Sequence, residues 1–242
     1  MVNERRADQT DREAQIAAAR RAEAPVLKEL AELGFHLRSL SELYSRLRSD
    51  IPKTSDGVLQ VRSIDELYRK PLDYRAAIPV LIKWLPLVSN RDVKLAIVDA
   101  LAVKWAKPAA RPLIEEFRKA PHEDISFKWA IANALAEVAD DSVFEEIVEL
   151  VRDKRHGAAR VMLPIALAKM KDPRAVDVLI ELLDDEVVSG QAVRALRLLA
   201  PPEARSALER FVNHPKTWVR NEARRALAKI DKKLVKTDAA KE

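Results

Sequence analysis

Apolar residues recur at intervals of three and four along most of the 242-residue chain, the period of helices that bury one stripe. Between Arg12 and Leu47 the positions Ile16, Val26, Leu27, Leu30, Leu33, Leu37, Leu40 and Leu47 follow it. This predicts helices, with Pro25 opening one and Gly34 ending or bending one. Ser41 and Glu42 offer another start ahead of Leu43. The pattern lapses over residues 49–62, SDIPKTSDGVLQVR, where Pro52, Ser55, Asp56 and Gly57 cluster and predict the one long loop. Ser63, with Glu66 three residues on, predicts a capped short helix over SIDELYRK.

From Tyr74 the pattern becomes repetitive. An Ala-Leu pair returns at 100–101, 134–135, 166–167, 195–196 and 226–227, within the period of stacked repeats. Each pair sits in the second of two helical segments. The first segments align as residues 76–85, 109–118, 142–151, 174–183 and 203–212, with Leu81, Ile114, Ile147, Leu179 and Leu208 in one column. The second segments begin near Asp92, Ile125, Gly157, Val187 and Trp218. Counting each Ala as zero, positions −7, −3, 0 and +1 are nearly all apolar, which is one buried helix face. The small Ala lets paired helices approach closely. Pro164, inside such a segment, is expected to bend it.

A helix hairpin of this kind cannot bury its apolar face without a neighbour. The expectation is therefore an all-α solenoid of about five hairpins over residues 74–231, with an N-terminal helical cap over 13–73. Residues 1–12 and 232–242 read as a disordered lead and a disordered charged tail.

Composition narrows the chemistry. There are 4 glycines and no cysteine, which fits helices on short turns and excludes disulfides, thiolate metal sites and cysteine nucleophiles. The opening MVNERRADQTDREAQ has no apolar signal core, and no stretch nears the ~18 apolar residues of a membrane span. A cytoplasmic protein without a membrane segment is expected. The net charge is +5, and the excess lies in residues 201–242, with 11 Lys/Arg against 6 Asp/Glu. A solubilising end to a solenoid is the favoured reading of that excess, ahead of a nucleic-acid surface.

The segments KDPRAVDVLIELLDD (171–185) and HPKTWVRNEARRALAKID (214–231) resemble HEAT repeats, in particular the short HEAT-like repeats of the phycobilisome-lyase type. Asp172, Pro173, Arg174, Ala175 and Val176 carry the first part of the pattern; Val219, Arg220, Ala226 and Leu227 carry the second. The resemblance covers about residues 74–231 and implies a right-handed solenoid whose second helices line the concave face. It is silent on activity, because similar repeats occur in scaffolds, lyase-related proteins, iron-dependent hydroxylases and alkylpurine DNA glycosylases.

On that face the −5 and −1 columns yield the candidate partner-binding residues Leu95, Asp99, Trp129, Asn133, Val161, Ile165, Arg194 and Arg225. Their apolar centre suits a protein or peptide partner, so a non-catalytic scaffold or adaptor is expected. The alternative is nucleic-acid binding, including glycosylase chemistry with Trp129 and Asp99 at a damaged nucleoside and the arginines on phosphates. A HEAT-like lyase or hydroxylase is a lesser alternative. Hydroxylase relatives hold iron through repeated His-Glu pairs; here only His122-Glu123 has that form, and His36, His156 and His214 lack the following Glu. Neither metal nor cofactor is expected, and no Gly-Xaa-Ser-Xaa-Gly elbow marks a nucleophile.

The remaining features read as structural. Trp84 and Trp105 are expected in the core, and Trp218 over the end of the stack. The −6 column, Lys94, Lys128, Arg160, Ser189 and Arg220, reads as a ladder of inter-repeat pairs. Asp92, Asp124, Asp141, Asp172 and Asp184 read as helix caps.

Overall fold

The structure, a computed structural model, describes residues 2–32, 63–69 and 73–238. It is all-α: helices alternate with tight 3-10 turns, and no strand occurs among the described residues. The chain divides into two compact units, Met1–Pro112 and Leu113–Glu242. Gly34, Ser41, the expected loop 49–62 and residues 239–242 lie outside the described residues.

In the first unit, α1 (Val2–Glu32) is one helix that takes in residues 2–12, expected to lack structure. Their Glu, Arg, Ala and Gln are good helix formers, so charge alone did not signal disorder. Pro25 lies inside α1 and does not open it. Pro25 and Arg21 are exposed, so the Arg21 carbonyl that loses its helical donor stays open to water. Val26 and Leu30, one turn apart, are buried.

Two carboxylates anchor α1. Glu23 accepts the Ile64 N–H at 2.7 Å, just ahead of α2 (Asp65–Arg69). Glu29 accepts from Lys83 Nζ and from the Trp84 indole N–H, both at 2.8 Å, on α3 (Ile78–Trp84). Trp84 is accordingly half-buried. Helix α4 (Arg91–Leu101) is capped by Asn90, whose side chain accepts from the Asp92 and Val93 N–H groups. Asp92 thus sits in the first turn and is not the cap. Tyr74 donates its hydroxyl to the Ala100 carbonyl at 2.9 Å, and burial pushes its phenol up to about 12. Trp105, expected in the core, is 41% exposed. It lies in the connection after α4, held edge-on to Tyr74 and beneath the Arg75 guanidinium.

Helix α5 (Ala110–Lys119) carries the boundary between the units. The second unit continues with α6 (Ile125–Val138), α7 (Phe144–Arg152), α8 (Leu163–Lys169), α9 (Ala175–Glu181), α10 (Ser189–Leu199), α11 (Arg205–Glu209) and α12 (Thr217–Asp238). Helices α6, α8, α10 and α12 pack side by side in chain order, and α8, α10 and α12 each also pack against the helix before them, α7, α9 and α11. This is the stacked hairpin arrangement of an α-solenoid. Ala134, Ala166, Ala195 and Ala226 are fully buried along its seam, and Ile147, Leu179 and Leu208 are fully buried on the first helices.

Ion pairs tie successive first-helix segments: Arg118 with Glu149, Arg174 with Glu145, Arg152 with Glu181 and Arg210 with Asp184. All are exposed, and each contributes at most about 1 kcal/mol. Asp184 therefore serves a neighbouring repeat and caps nothing. Asp141 likewise accepts the Lys171 N–H at 2.7 Å. Asp124 and Asp172 behave as expected, accepting from the Phe127 and Arg174 N–H groups.

Two boundaries differ from expectation. Pro164 does not bend a helix from within; it opens α8, where its missing N–H is no loss. The interruption is earlier, in a 3-10 segment (Lys154–Met162) where Gly157 adopts φ 50°, a conformation that favours glycine. At the other end, α12 runs to Asp238 through much of the expected disordered tail. Lys229 and Lys233 on α12 donate to the carbonyls of Leu198 and Leu199, both at 2.7 Å. Part of the basic excess thus satisfies the C-terminus of α10, where Ala200 is left-handed.

Candidate binding face

Because α6, α8, α10 and α12 are neighbours and their 0 and −3 positions face inward, the −5 and −1 columns lie on the opposite, outward stripe. Trp129 on α6 is 48% exposed. Asn133, one turn on, donates its amide to the Trp129 carbonyl at 2.8 Å, so its side chain is turned back along the helix. Val161 is half-buried, and Ile165 is only 7% exposed; Ile165 can form the floor of a contact but not its anchor. Arg194 and Arg225 are exposed on α10 and α12.

Leu95 and Asp99 belong to the first unit. Both are half-buried on α4, against which α2 packs. Burial raises the Asp99 carboxyl, while a hydrogen bond from Tyr68 and the charge of Arg69 act the other way. Asp99 is therefore engaged within its own unit by Tyr68 and Arg69.

Among the exposed apolar residues of the second unit that were not singled out for binding are Ile125, Val187 and Trp218. They lie at or just before the first turns of α6, α10 and α12, beside the −5 column. Trp218 does not simply cover the end of the stack. Its indole lies against Gly190, where an added Cβ would come within 2.6 Å of the ring. A glycine in the −5 column next to an indole at the start of the following second helix was the signal available in the sequence.

Beneath this face lies a buried polar group. Lys128 is fully buried, with Nζ 3.3 Å from His156 Nδ1 and over the Phe117 ring. His156 Nε2 is 3.5 Å from an Asp153 oxygen. If the lysine donates to Nδ1, the Nε2–H tautomer faces Asp153. His156 also stacks on His122 with ring centres 5.0 Å apart. Burial pulls both Lys128 and His156 below their ordinary values. Hydrogen bonds from Arg155 hold Asp153 well below the carboxylate range.

A cleft of about 220 Å³ adjoins this group. The charges on its wall are matched, Arg118 with Glu149 and Arg155 with Asp153, which makes it a poor site for a charged ligand. Among the described residues no His, Asp and Glu cluster could hold a metal. His122 and Glu123 are exposed in the turn before α6.

The −6 column is structural in varied ways. Arg160 is almost fully buried, pairs with Asp185 of the next repeat at 2.8 Å and donates to the Val151 carbonyl. Arg220 instead closes its own turn through the carbonyls of His214 and Pro215. Lys94 is half-buried and Ser189 buried.

Residues 110–197 match the family of HEAT repeats, which generally mediate protein interactions. No curated protein gives a significant match to the chain. Among the described residues no helix is long and apolar enough to cross a membrane. With the Ala-Leu seam buried along the stack and residues 110–197 matching that family, this part of the chain is built of HEAT repeats.

Proposed function

We propose that the protein is a non-catalytic scaffold or adaptor that holds a protein or peptide against the outward stripe of α6, α8, α10 and α12. The carrying observation is Trp129: an indole nearly half exposed on α6, with Val161 on the neighbouring segment. Exposed aromatic residues with apolar neighbours are the usual anchors of protein interfaces. A cytoplasmic setting fits the cysteine-free composition.

Nucleic-acid binding is the second reading, favoured by the exposed Arg194 and Arg225. Glycosylase chemistry fares less well. It needs a free carboxylate near Trp129, whereas Asp99 is bonded by Tyr68 and Asn133 is an amide.

Site-specific photocrosslinking in cells of the native host tests the proposal. A photoreactive residue at position 129 should give discrete protein adducts that the same residue at the exposed first-helix position Asp177 does not. Adducts to nucleic acid alone, or identical patterns from both positions, would contradict it.

A further inference from the structure

We infer that the segment held on this face is acidic, with apolar residues spaced among its carboxylates. This rests on the reading above and adds the chemistry of the partner. The inference comes from which charges on the stripe remain uncompensated. At its C-terminal end Glu137 is held by Lys169 at 2.7 Å, and Glu222 forms a short bond with Arg197. Lys229 is spent on the carbonyls of Arg197 and Leu198.

Two arginines are left over. Among the described residues Arg194 has no ion-pair partner, and Arg225 reaches only the already engaged Glu222, at 3.6 Å. Both occupy the −1 position, on adjacent helices, and their guanidinium groups present the forked donors that suit carboxylates. One to two turns nearer the helix starts lie Trp129, Val161, Val187 and Trp218, all exposed or half-buried. The stripe is thus an apolar strip bordered by unneutralised positive charge.

That combination distinguishes between partners. A phosphate backbone would use the arginines but leave the strip bare, while a neutral apolar segment would do the reverse. An acidic segment with apolar side chains uses both. Neighbouring helices stand ~8–10 Å apart, so the three steps from α6 to α12 cover some ~25–30 Å. An extended peptide rises ~3.3 Å per residue, which makes about eight or nine residues enough to reach from Trp129 to Arg225.

Selection of a displayed library of random twelve-residue peptides against the full chain tests this, followed by fluorescence anisotropy of the enriched peptides. The expected outcome is enrichment of Asp/Glu-rich sequences carrying Leu, Phe or Trp. Their affinity should fall at least tenfold in Trp129→Ala and at least tenfold in the Arg194→Glu/Arg225→Glu double variant, with circular dichroism melts unchanged. Neutral or basic peptides that still depend on Trp129 would overturn the acidic inference while leaving the adaptor reading intact. Failure to obtain any peptide that depends on Trp129 would overturn both. So would a single-stranded oligonucleotide that binds more tightly than every selected peptide and is lost in the double arginine variant.

Discussion

Lys128 and His156 form the most consequential residue pair in the second unit, because a buried ammonium is tolerated only while its neighbour stays neutral. Lys128, His122 and Arg155 all disfavour a charged His156 ring; Asp153 alone supports it. A histidine held below its ordinary value binds protons more readily unfolded than folded, so its contribution is complete above about pH 6.5 and is lost as pH falls through that value toward the depressed one. Urea unfolding between pH 5 and 8 should show stability declining on the acid side, and His156→Asn should flatten that slope. Equal slopes in the two proteins would remove His156 as its source. A second residue-scale prediction concerns the seam: Ala166→Leu should cost about 1–3 kcal/mol by overpacking, whereas Ala19→Leu, at a partly exposed site on α1, should change stability little. Equal melts would place Ala166 outside the seam.

The residues on that seam were legible because the same side chain recurs at the same depth in every repeat. The polar pair was not. Lys128 and His156 are 28 residues apart, and Lys128 differs from a solvated lysine only through Phe117 and a histidine from another hairpin. Trp105 shows the same limit: it reads as core in the sequence, yet it is 41% exposed.

At the scale of elements, α1 is integral to the first unit. Val26 and Leu30 are fully buried, and Glu23 and Glu29 bind groups at Ile64, Lys83 and Trp84. A chain starting at Ile64 should therefore stay helical but melt at lower temperature or lose solubility, since its first repeat would bare apolar surface. Unchanged melting and solubility would make residues 1–63 a separate appendage. Gly190 provides a second test. In Gly190→Ala the new methyl meets the Trp218 ring, so the indole must move. In a chain keeping Trp218 as its sole tryptophan, the emission maximum should shift; identical spectra would contradict the close approach of α10 and α12.

Hairpin order and helix pairing over the second unit could be read from periodicity. Helix ends could not, because they depend on contacts beyond the local pattern. Charged residues 2–12 and 232–238 look solvated in isolation, yet both stretches are helical. In the second, Lys233 reaches carbonyls on another helix. Pro25 and Pro164 illustrate the same point from opposite sides: each was placed correctly in a helical region, but the first lies within a helix and the second opens one. The candidate face was legible as columns. What those columns could not show was that Ile165 is covered and Asp99 is engaged by Tyr68, since both depend on neighbouring elements.

At the largest scale, the stacked helices α6, α8, α10 and α12 of the second unit offer a regular surface on which one apolar strip and two unneutralised arginines stand out, the surface we propose for a protein or peptide partner. The most direct measurement is the affinity of the crosslinked partner for the wild type, for Trp129→Ala and for the Arg194→Glu/Arg225→Glu variant, each at low and moderate salt. Loss of the central aromatic anchor should weaken binding by about 2 kcal/mol or more. Charge reversal should chiefly slow association and alter its salt dependence. Normal binding by Trp129→Ala, together with DNA or RNA binding that disappears in the arginine variant and falls steeply with salt, would contradict the account and make the face a nucleic-acid surface.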